Sequence, residues 1–399
     1  MQTTEALSFY ADLAEQALQD TPPSPEVAEQ LLTDPDVELL PLLHAAFTVR
    51  KHYFGLGVQA HVLNNAQNGA CPEDCSYCSQ RKGTDVPIES YGLKSEAEVL
   101  AEADAAVANG AFRYCLVVSG RGPTESRANR LAGLVRAVKD RHPGLEVCVS
   151  CGLLDNGKAD ILADAGVDRL NHNLNTAKGR YASICTTHTY EDRVNTLESA
   201  KAAGMQLCSG LIVGMGEQPG ELVELAFALR ELGASSIPVN FLLPFEGGQL
   251  RPAGLSPQYA LRILCMVRLV CPRAELRIAA GREMHLGALE PMALYAANSL
   301  FLGGYLNAKG EESKHVRRML DDAGFHLVEA SATPGTPATP ATPGSSTAPA
   351  SGPGSSSAGS DSERVDQSEP ASCDASSGCC DGEKLAELKT VEELRPARV

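Results

Sequence analysis

Three cysteines lie close together in the segment NGACPEDCSYCSQ, residues 68–80, with the spacing C-x3-C-x2-C. They are Cys71, Cys75 and Cys78, and no fourth cysteine follows within this segment. A structural zinc site uses four tetrahedral ligands, commonly from two C-x2-C pairs. A 4Fe-4S cluster held by three cysteines leaves one iron free to bind a small molecule. The spacing therefore predicts a catalytic iron-sulfur centre, with a zinc knuckle as the alternative.

The overall charge argues for a small substrate. The chain has 399 residues and a net charge of -16, so it lacks the basic face on which a nucleic acid releases counterions. Its acidic N-terminal stretch does not resemble a signal peptide, and no apolar run reaches the ~18 to 20 residues that span a bilayer. We expect a cytoplasmic protein without membrane or nucleic-acid partners, whose 13 cysteines are thiols or metal ligands.

The C-terminal part of the chain has a different composition. No aromatic residue follows Phe325, and Ser, Thr, Pro, Ala and Gly dominate residues 331–372. Such a segment buries too little apolar surface to offset its ordering entropy. We expect a disordered tail over 329–399, with the composition of a short helix near its end. Its three cysteines, which we interpret as incidental thiols, are Cys373, Cys379 and Cys380.

Short apolar runs alternate with longer amphipathic runs from residue 59 onward, which is the pattern of a parallel sheet with crossover helices. Stretches 95–110 and 189–204 have the caps of helices, a Ser or Thr at the start and a Gly at the end. The eight predicted strands are 59–65, 112–119, 145–151, 168–174, 205–214, 236–242, 275–281 and 299–304. We predict an α/β fold, a (β/α)8 TIM-type barrel over 51–328 after an N-terminal helical segment at 1–50. An open doubly wound sheet is the alternative, but no GxGxxG opens its first unit.

Polar residues share one face of several predicted strands, since side chains alternate along a strand. Cys115, Cys148 and Cys208 recur at similar positions, with Arg113 and Arg277 near them, which suggests a second metal centre. In the fourth strand Asn171, Asn173 and Asn175 align, with His172 opposite, and Asn240 lies in the sixth. Taken singly, each of these residues is equally compatible with a side chain that faces outward against the helices. The remaining cysteines are interpreted as small core side chains: Cys151, Cys185, Cys265 and Cys271.

The cysteine triplet, with Tyr77 before its last member, resembles the signature of radical S-adenosylmethionine enzymes. Seven later motifs extend the likeness from about residue 40 to about residue 325, and together they resemble the biotin synthase family. These motifs are YCLVVSGRGP, LEVCVSCG, LNHNLNT, TTHTYEDR, LCSGLIVGMGE, IPVNFL and LRIAAGRE.

The resemblance implies that S-adenosylmethionine is cleaved to a deoxyadenosyl radical and that sulfur is inserted into dethiobiotin. It implies a 4Fe-4S cluster on Cys71, Cys75 and Cys78, and a 2Fe-2S cluster, the sulfur source, on four further ligands. Those ligands are Cys115, Cys148, Cys208 and Arg277. It further implies a homodimer and a small electron-transfer partner of the flavodoxin or ferredoxin type.

The same resemblance assigns ligand contacts. Tyr77, Asn173, Asn175 and Asn240 match cofactor contacts, and Asn171, Asn173 and Asn240 match substrate contacts. Asn175 departs from the acidic residue of the family, so it brings no charge to the ribose hydroxyls. The rival interpretations are a hydrogenase-maturation or pyrrolysine-pathway relative, which need not keep all four 2Fe-2S ligands, and a non-catalytic iron-sulfur or zinc module. The latter leaves the asparagine-lined interior unexplained.

Overall fold

A closed parallel barrel forms the centre of the molecule. The computed structural model describes residues 3–330. The first strand pairs with both the second and the ninth, which closes the ring, and every pairing between strands is parallel. The strands are β1 Gly57–Gln67, β2 Arg113–Val118, β3 Glu146–Ser150, β4 Arg169–Asn171, β5 Gln206–Cys208, β6 Leu211–Val213, β7 Ser236–Phe241, β8 Glu275–Ile278, β9 Ser299–Phe301 and β10 His326–Leu327. The predicted (β/α)8 fold is confirmed, and the open sheet is excluded.

One predicted strand is wrong in detail. The run 205–214 forms two strands, β5 and β6, which together occupy one position in the ring and both pair with β7. Gly210 lies at the break, where a Cβ atom would come within 1.9 Å of the Pro238 carbonyl oxygen. Only a residue without a Cβ atom fits so close to the neighbouring strand. The short β10 pairs with the start of β1 and lies outside the ring.

Helices surround the barrel. They are α1 Thr3–Leu18, α2 Pro25–Thr33, α3 Leu39–Phe54, α4 Glu96–Ala108, α5 Glu125–Arg141, α6 Asn156–Asp164, α7 Tyr181–Ile184, α8 Tyr190–Ala202, α9 Pro219–Leu232, α10 Pro257–Val270, α11 Arg282–Leu286, α12 Glu290–Ala293 and α13 Ser313–Asp322. The N-terminal helical segment consists of α1 to α3, which pack against α9 and α10. Its last helix runs past the predicted boundary at residue 50. Residues 331–399 of the predicted tail, with its three cysteines, lie outside the described residues.

Both predicted helix starts carry reciprocal caps. Ser95 accepts a hydrogen bond from the backbone of Glu98 at the start of α4, and Thr189 accepts one from Asp192 at the start of α8. In each case the acidic side chain returns a bond to the backbone of the capping residue, which satisfies two otherwise unpaired amides. Within residues 3–330, no helix combines the length and apolar character needed to cross a bilayer.

Candidate active site

One cavity at the carboxyl ends of the barrel strands brings the predicted site residues together. The loop after β1 carries the cysteine triplet to this end of the barrel, where parallel barrels place their functional groups. The cavity is bordered by Cys71, Cys75, Tyr77, Cys78, Cys115, Cys148, Asn171, Asn173, Asn175, Asn240 and Arg277. Cys208 is fully buried just behind Cys115 and Cys148. His172, which alternation placed on the opposite face, also borders the cavity, because the strand ends at Asn171.

A second loop clamps the cysteine loop. Asp74 Oδ1 accepts hydrogen bonds from the backbone amides of Thr186 and Thr187 at 2.9 and 3.2 Å. Glu73 Oε2 lies 2.7 Å from Thr187 Oγ1 and 2.5 Å from His188 Nδ1. Burial opposes ionisation of Glu73, but these hydrogen bonds hold its pKa below the ordinary value. The two acidic residues between Cys71 and Cys75 therefore position the triplet, a role that the sequence analysis did not assign.

The thiols of the triplet are held in their neutral form by the surrounding protein. Burial raises the pKa of Cys71, and it raises the pKa of Cys78 to about 11. The pKa of Cys75 also lies well above its usual range, because its thiol donates to Cys185 and because it is buried. Thiol ligands give up their protons when they bind a metal. Three cysteines on one loop at the cavity fit a 4Fe-4S cluster with one open iron position.

Cys185 differs from the small core side chain that the sequence predicted. Its Sγ lies 3.7 Å from Cys75 Sγ and 3.2 Å from His188 Nδ1. The bond from Cys75, with those from His188 and Thr187, lowers the pKa of Cys185 to about 4 against the effect of burial. Cys185 is buried beside Tyr181, as predicted, but it also meets polar groups of a loop that is distant in sequence. Cys151, Cys265 and Cys271 do lie in the main apolar core.

The second set of thiols lies deeper in the barrel. Cys115 and Cys148 are register partners on β2 and β3, and Asn171 and Cys208 are partners on β4 and β5. The side chains of Cys115, Cys148 and Cys208 pack in one buried cluster. The three cysteines therefore lie together inside the barrel, as the alternation pattern predicted.

Two buried arginines set the charge of this thiol set. The neighbouring Cys148 thiol, together with Arg277 and Arg113, holds the pKa of Cys115 and of Cys208 below the usual range despite burial. The pKa of Cys148 lies well above it, because of the neighbouring sulfur atoms of Cys115 and Cys208 and because the thiol is buried. Anionic sulfur is stabilised here, and thiolate is the form that binds metal.

Arg277 faces the same thiols. Its Nη1 lies 3.8 Å from Cys208 Sγ, while its Nη2 donates to Ser236 Oγ at 2.7 Å. Within residues 3–330, the buried Nε of Arg277 has no hydrogen-bond partner. A buried guanidinium normally satisfies its donors. Three thiols and a partly satisfied guanidinium together offer sulfur and nitrogen atoms to a metal centre.

Asparagine side chains lie between the two thiol sets. Asn171 Nδ2 donates to Cys208 Sγ at 3.2 Å and to Asn173 Oδ1 at 3.3 Å. Asn173 Oδ1 also accepts from the Gly210 amide at 3.1 Å. Asn240 Nδ2 donates to the Leu211 carbonyl at 3.3 Å. These amides offer both donors and acceptors to a ligand in the cavity.

Asn175 adopts a left-handed backbone conformation, with φ of 69°. Its Nδ2 donates to the Tyr77 hydroxyl at 2.6 Å, which joins the residue to the cysteine loop. The buried Arg193 lies 3.3 Å from the same hydroxyl and donates to the Asn173 carbonyl at 2.8 Å. Arg193 borders the cavity but was missed by the sequence analysis, although it belongs to the motif TTHTYEDR.

Two family profiles match successive parts of the chain. The Radical SAM superfamily matches residues 68–229. The Biotin and Thiamin Synthesis associated domain matches residues 238–326. Together they span the loop of the cysteine triplet and nearly all of the barrel.

Curated relatives share about half of their residues with this chain. The biotin synthase of Magnetococcus marinus is 54% identical over 316 residues, which are 79% of this chain and 98% of the relative. The biotin synthase of Acaryochloris marina is 50% identical over 305 residues, 76% of this chain and 88% of the relative.

Solved structures share the fold at low sequence identity. A methylornithine synthase is 22% identical with a TM-score of 0.68, covering 80% of this chain and 98% of its own. The FeFe-hydrogenase maturase of Carboxydothermus hydrogenoformans is 16% identical with a TM-score of 0.66, covering 80% and 79%. At these identities the likeness shows the barrel fold and nothing of the substrate.

Proposed function

Because the chain belongs to the biotin synthase family of radical S-adenosylmethionine enzymes, we propose that it inserts sulfur into dethiobiotin to form biotin. The observation that carries the proposal is the placement of two thiol sets in one barrel, with asparagine amides between them. A simple iron-sulfur or zinc module has no need of such a polar cavity between its metal sites.

In this proposal Cys71, Cys75 and Cys78 hold the 4Fe-4S cluster. When bound, this cluster supplies the electron that cleaves S-adenosylmethionine to methionine and a 5'-deoxyadenosyl radical. A hydrogen bond joins Asn175 to Tyr77, which lies within the triplet loop. At this position both side chains would contact the cofactor.

Cys115, Cys148, Cys208 and Arg277 hold the 2Fe-2S cluster, which supplies the sulfur atom. Asn171 donates to Cys208 and borders the cavity, so it is placed to orient a substrate against this set. Asn173 and Asn240 are proposed to contact both substrate and cofactor, since their side chains lie in the same cavity. The ureido ring of dethiobiotin offers N–H donors and a carbonyl acceptor that match such amides.

We propose a homodimer and a small electron-transfer partner of the flavodoxin or ferredoxin type, because a one-electron cleavage requires a reductant. The cytoplasm is the proposed compartment, supported by the abundance of cysteine and the requirement for reduced thiols. The division into a helical segment at 1–50, a barrel at 51–328 and a tail is likewise proposed.

The test uses the full chain reconstituted anaerobically with iron and sulfide. Dethiobiotin, S-adenosylmethionine and a reductant are expected to yield biotin, methionine and 5'-deoxyadenosine. Cys71→Ala serves as the control, and we expect it to abolish all three products. If a fully loaded enzyme released no deoxyadenosine in response to dethiobiotin, the proposed function would be wrong.

A further inference from the structure

Glu275 lies on β8 two residues before Arg277, so both side chains point to the same side of the strand. We propose that Glu275 is a positioning residue that fixes the Arg277 guanidinium against the deep thiol set. The inference rests on the proposed function, since it takes this set as the site of the 2Fe-2S cluster. Neither the family resemblance nor the matching relatives assigns a role to Glu275.

The Glu275 carboxylate is buried and meets four polar partners. Its Oε1 lies 2.7 Å from Arg277 Nη2, 3.0 Å from His61 Nε2 and 2.9 Å from Ser299 Oγ. Its Oε2 lies 2.8 Å from Arg113 Nη1. These partners come from β1, β2, β8 and β9, so the carboxylate is held from several sides of the ring.

This fixed carboxylate constrains Arg277. Nη2 is bound by Glu275 and by Ser236, each at 2.7 Å. A guanidinium is planar and rigid, so two hydrogen bonds at Nη2 restrict the directions in which the other two nitrogens can point. Nη1 then faces Cys208 Sγ at 3.8 Å. Without Glu275, the same arginine would keep only the serine as an oxygen partner on Nη2.

Glu146 provides a matched control in the same network. It lies on β3, where its Oε2 contacts Arg113 Nη2 at 2.6 Å and Arg169 Nε at 3.2 Å. In the part of the chain that the structure describes, no contact joins Glu146 to Arg277. Replacing it removes one negative charge from the neighbourhood of Arg113 while leaving the orientation of Arg277 intact.

The experiment compares Glu275→Gln with Glu146→Gln in the full chain. Thermal unfolding of the cluster-free protein measures the structural cost, and we expect both variants to unfold at a lower temperature. After anaerobic reconstitution, visible circular dichroism, electron paramagnetic resonance and the reduction potential measure the 2Fe-2S cluster. Glu275→Gln is expected to shift these three signals clearly more than Glu146→Gln, which acts on the thiol set only through Arg113, while the 4Fe-4S signal stays unchanged in both variants.

Glu275→Asp keeps the negative charge but shortens the side chain by one methylene group. We therefore expect a smaller shift of the 2Fe-2S signals in the same direction. This variant decides the question if Glu275→Gln does not fold. A spectrum and potential identical to those of the parent would overturn the inference. Equal shifts in the Glu146 and Glu275 variants would overturn it too, because network charge alone would then explain them. If the parent assembled no 2Fe-2S cluster, the cofactor assignment would fail first, and the inference with it.

Discussion

Cys115 and Cys148 lie directly opposite one another on adjacent parallel strands, in one buried cluster with Cys208. This register places two sulfur atoms at one height inside the barrel, and β5 adds the third from Cys208. A shift of either strand by one residue would turn its cysteine toward the helices. Strand pairing therefore builds the deep thiol set, whereas a single loop supplies the outer triplet.

The two sets are expected to lose their metal independently. Replacing Cys148 with Ala should abolish the 2Fe-2S signal and leave the 4Fe-4S signal, because only the deep set loses a ligand. Iron and sulfide content together with electron paramagnetic resonance measures both. Cys151→Ala is the control, since that buried side chain packs in the main apolar core. Loss of the 4Fe-4S signal in Cys148→Ala would contradict the ligand assignment.

Asn175 is expected to limit the affinity for S-adenosylmethionine. Asn175→Asp adds a charge that strengthens hydrogen bonds from ribose hydroxyls by ~1 kcal/mol, so we expect binding about fivefold tighter. Asn175→Gly keeps the freedom needed at φ of 69° but removes the amide, and should bind more weakly. Equilibrium binding to the 4Fe-4S protein measures both variants. Equal affinity in Asn175→Asp and the parent would rule out a ribose contact at this position.

Replacement by serine should change the free energy of unfolding differently at Cys185 and at Cys151. A hydroxyl at Cys185 can exchange hydrogen bonds with His188, whose Nδ1 lies 3.2 Å from the present sulfur. A hydroxyl at Cys151 enters the apolar core, where an unsatisfied polar group costs about 1 to 3 kcal/mol. Denaturant unfolding of the cluster-free chain should therefore show the larger loss of free energy for Cys151→Ser. Similar losses in both variants would contradict the polar environment of Cys185.

The cap of α8 should affect retention of the 4Fe-4S cluster, because Thr189 directly follows the loop that clamps Glu73 and Asp74. Thr189→Ala is expected to lower the free energy of unfolding by about 1 kcal/mol and to speed loss of the 4Fe-4S signal. Ser95→Ala, at the equivalent cap of α4, should cost as much without affecting the cluster. Equal cluster loss in both variants would argue against a link between the cap and the loop.

Asp192 gives this cap a pH dependence. The Thr189 backbone amide lowers the pKa of Asp192, with burial opposing the shift. Because the folded pKa lies below the unfolded value of about 3.9, the contribution is complete above that pH and is lost as the pH falls. The free energies of unfolding of Asp192→Asn and of the parent, measured with urea, should therefore converge as the pH falls. A difference that stays constant down to pH 3 would contradict this sign.

Some parts of the fold can be predicted from the sequence because they depend on local patterns. The helix starts at Ser95 and Thr189 follow from capping chemistry within four residues. Alternation along single strands placed Cys115, Cys148 and Arg277 on the inner face. The close approach of Gly210 to Pro238 has no such signal, because Pro238 lies on a neighbouring strand.

The sequence by itself determined the spacing of the cysteine triplet, the order of strands and helices, and the polar character of one strand face, since each is a relation between near neighbours in the chain. Only the tertiary structure decided that the ring closes between β1 and β9, that Cys185 contacts Cys75, and that Glu275 holds Arg277 within a network of four strands. These contacts join segments that are distant along the chain or lie on separate strands. They depend on strand register and loop packing, which no local pattern encodes.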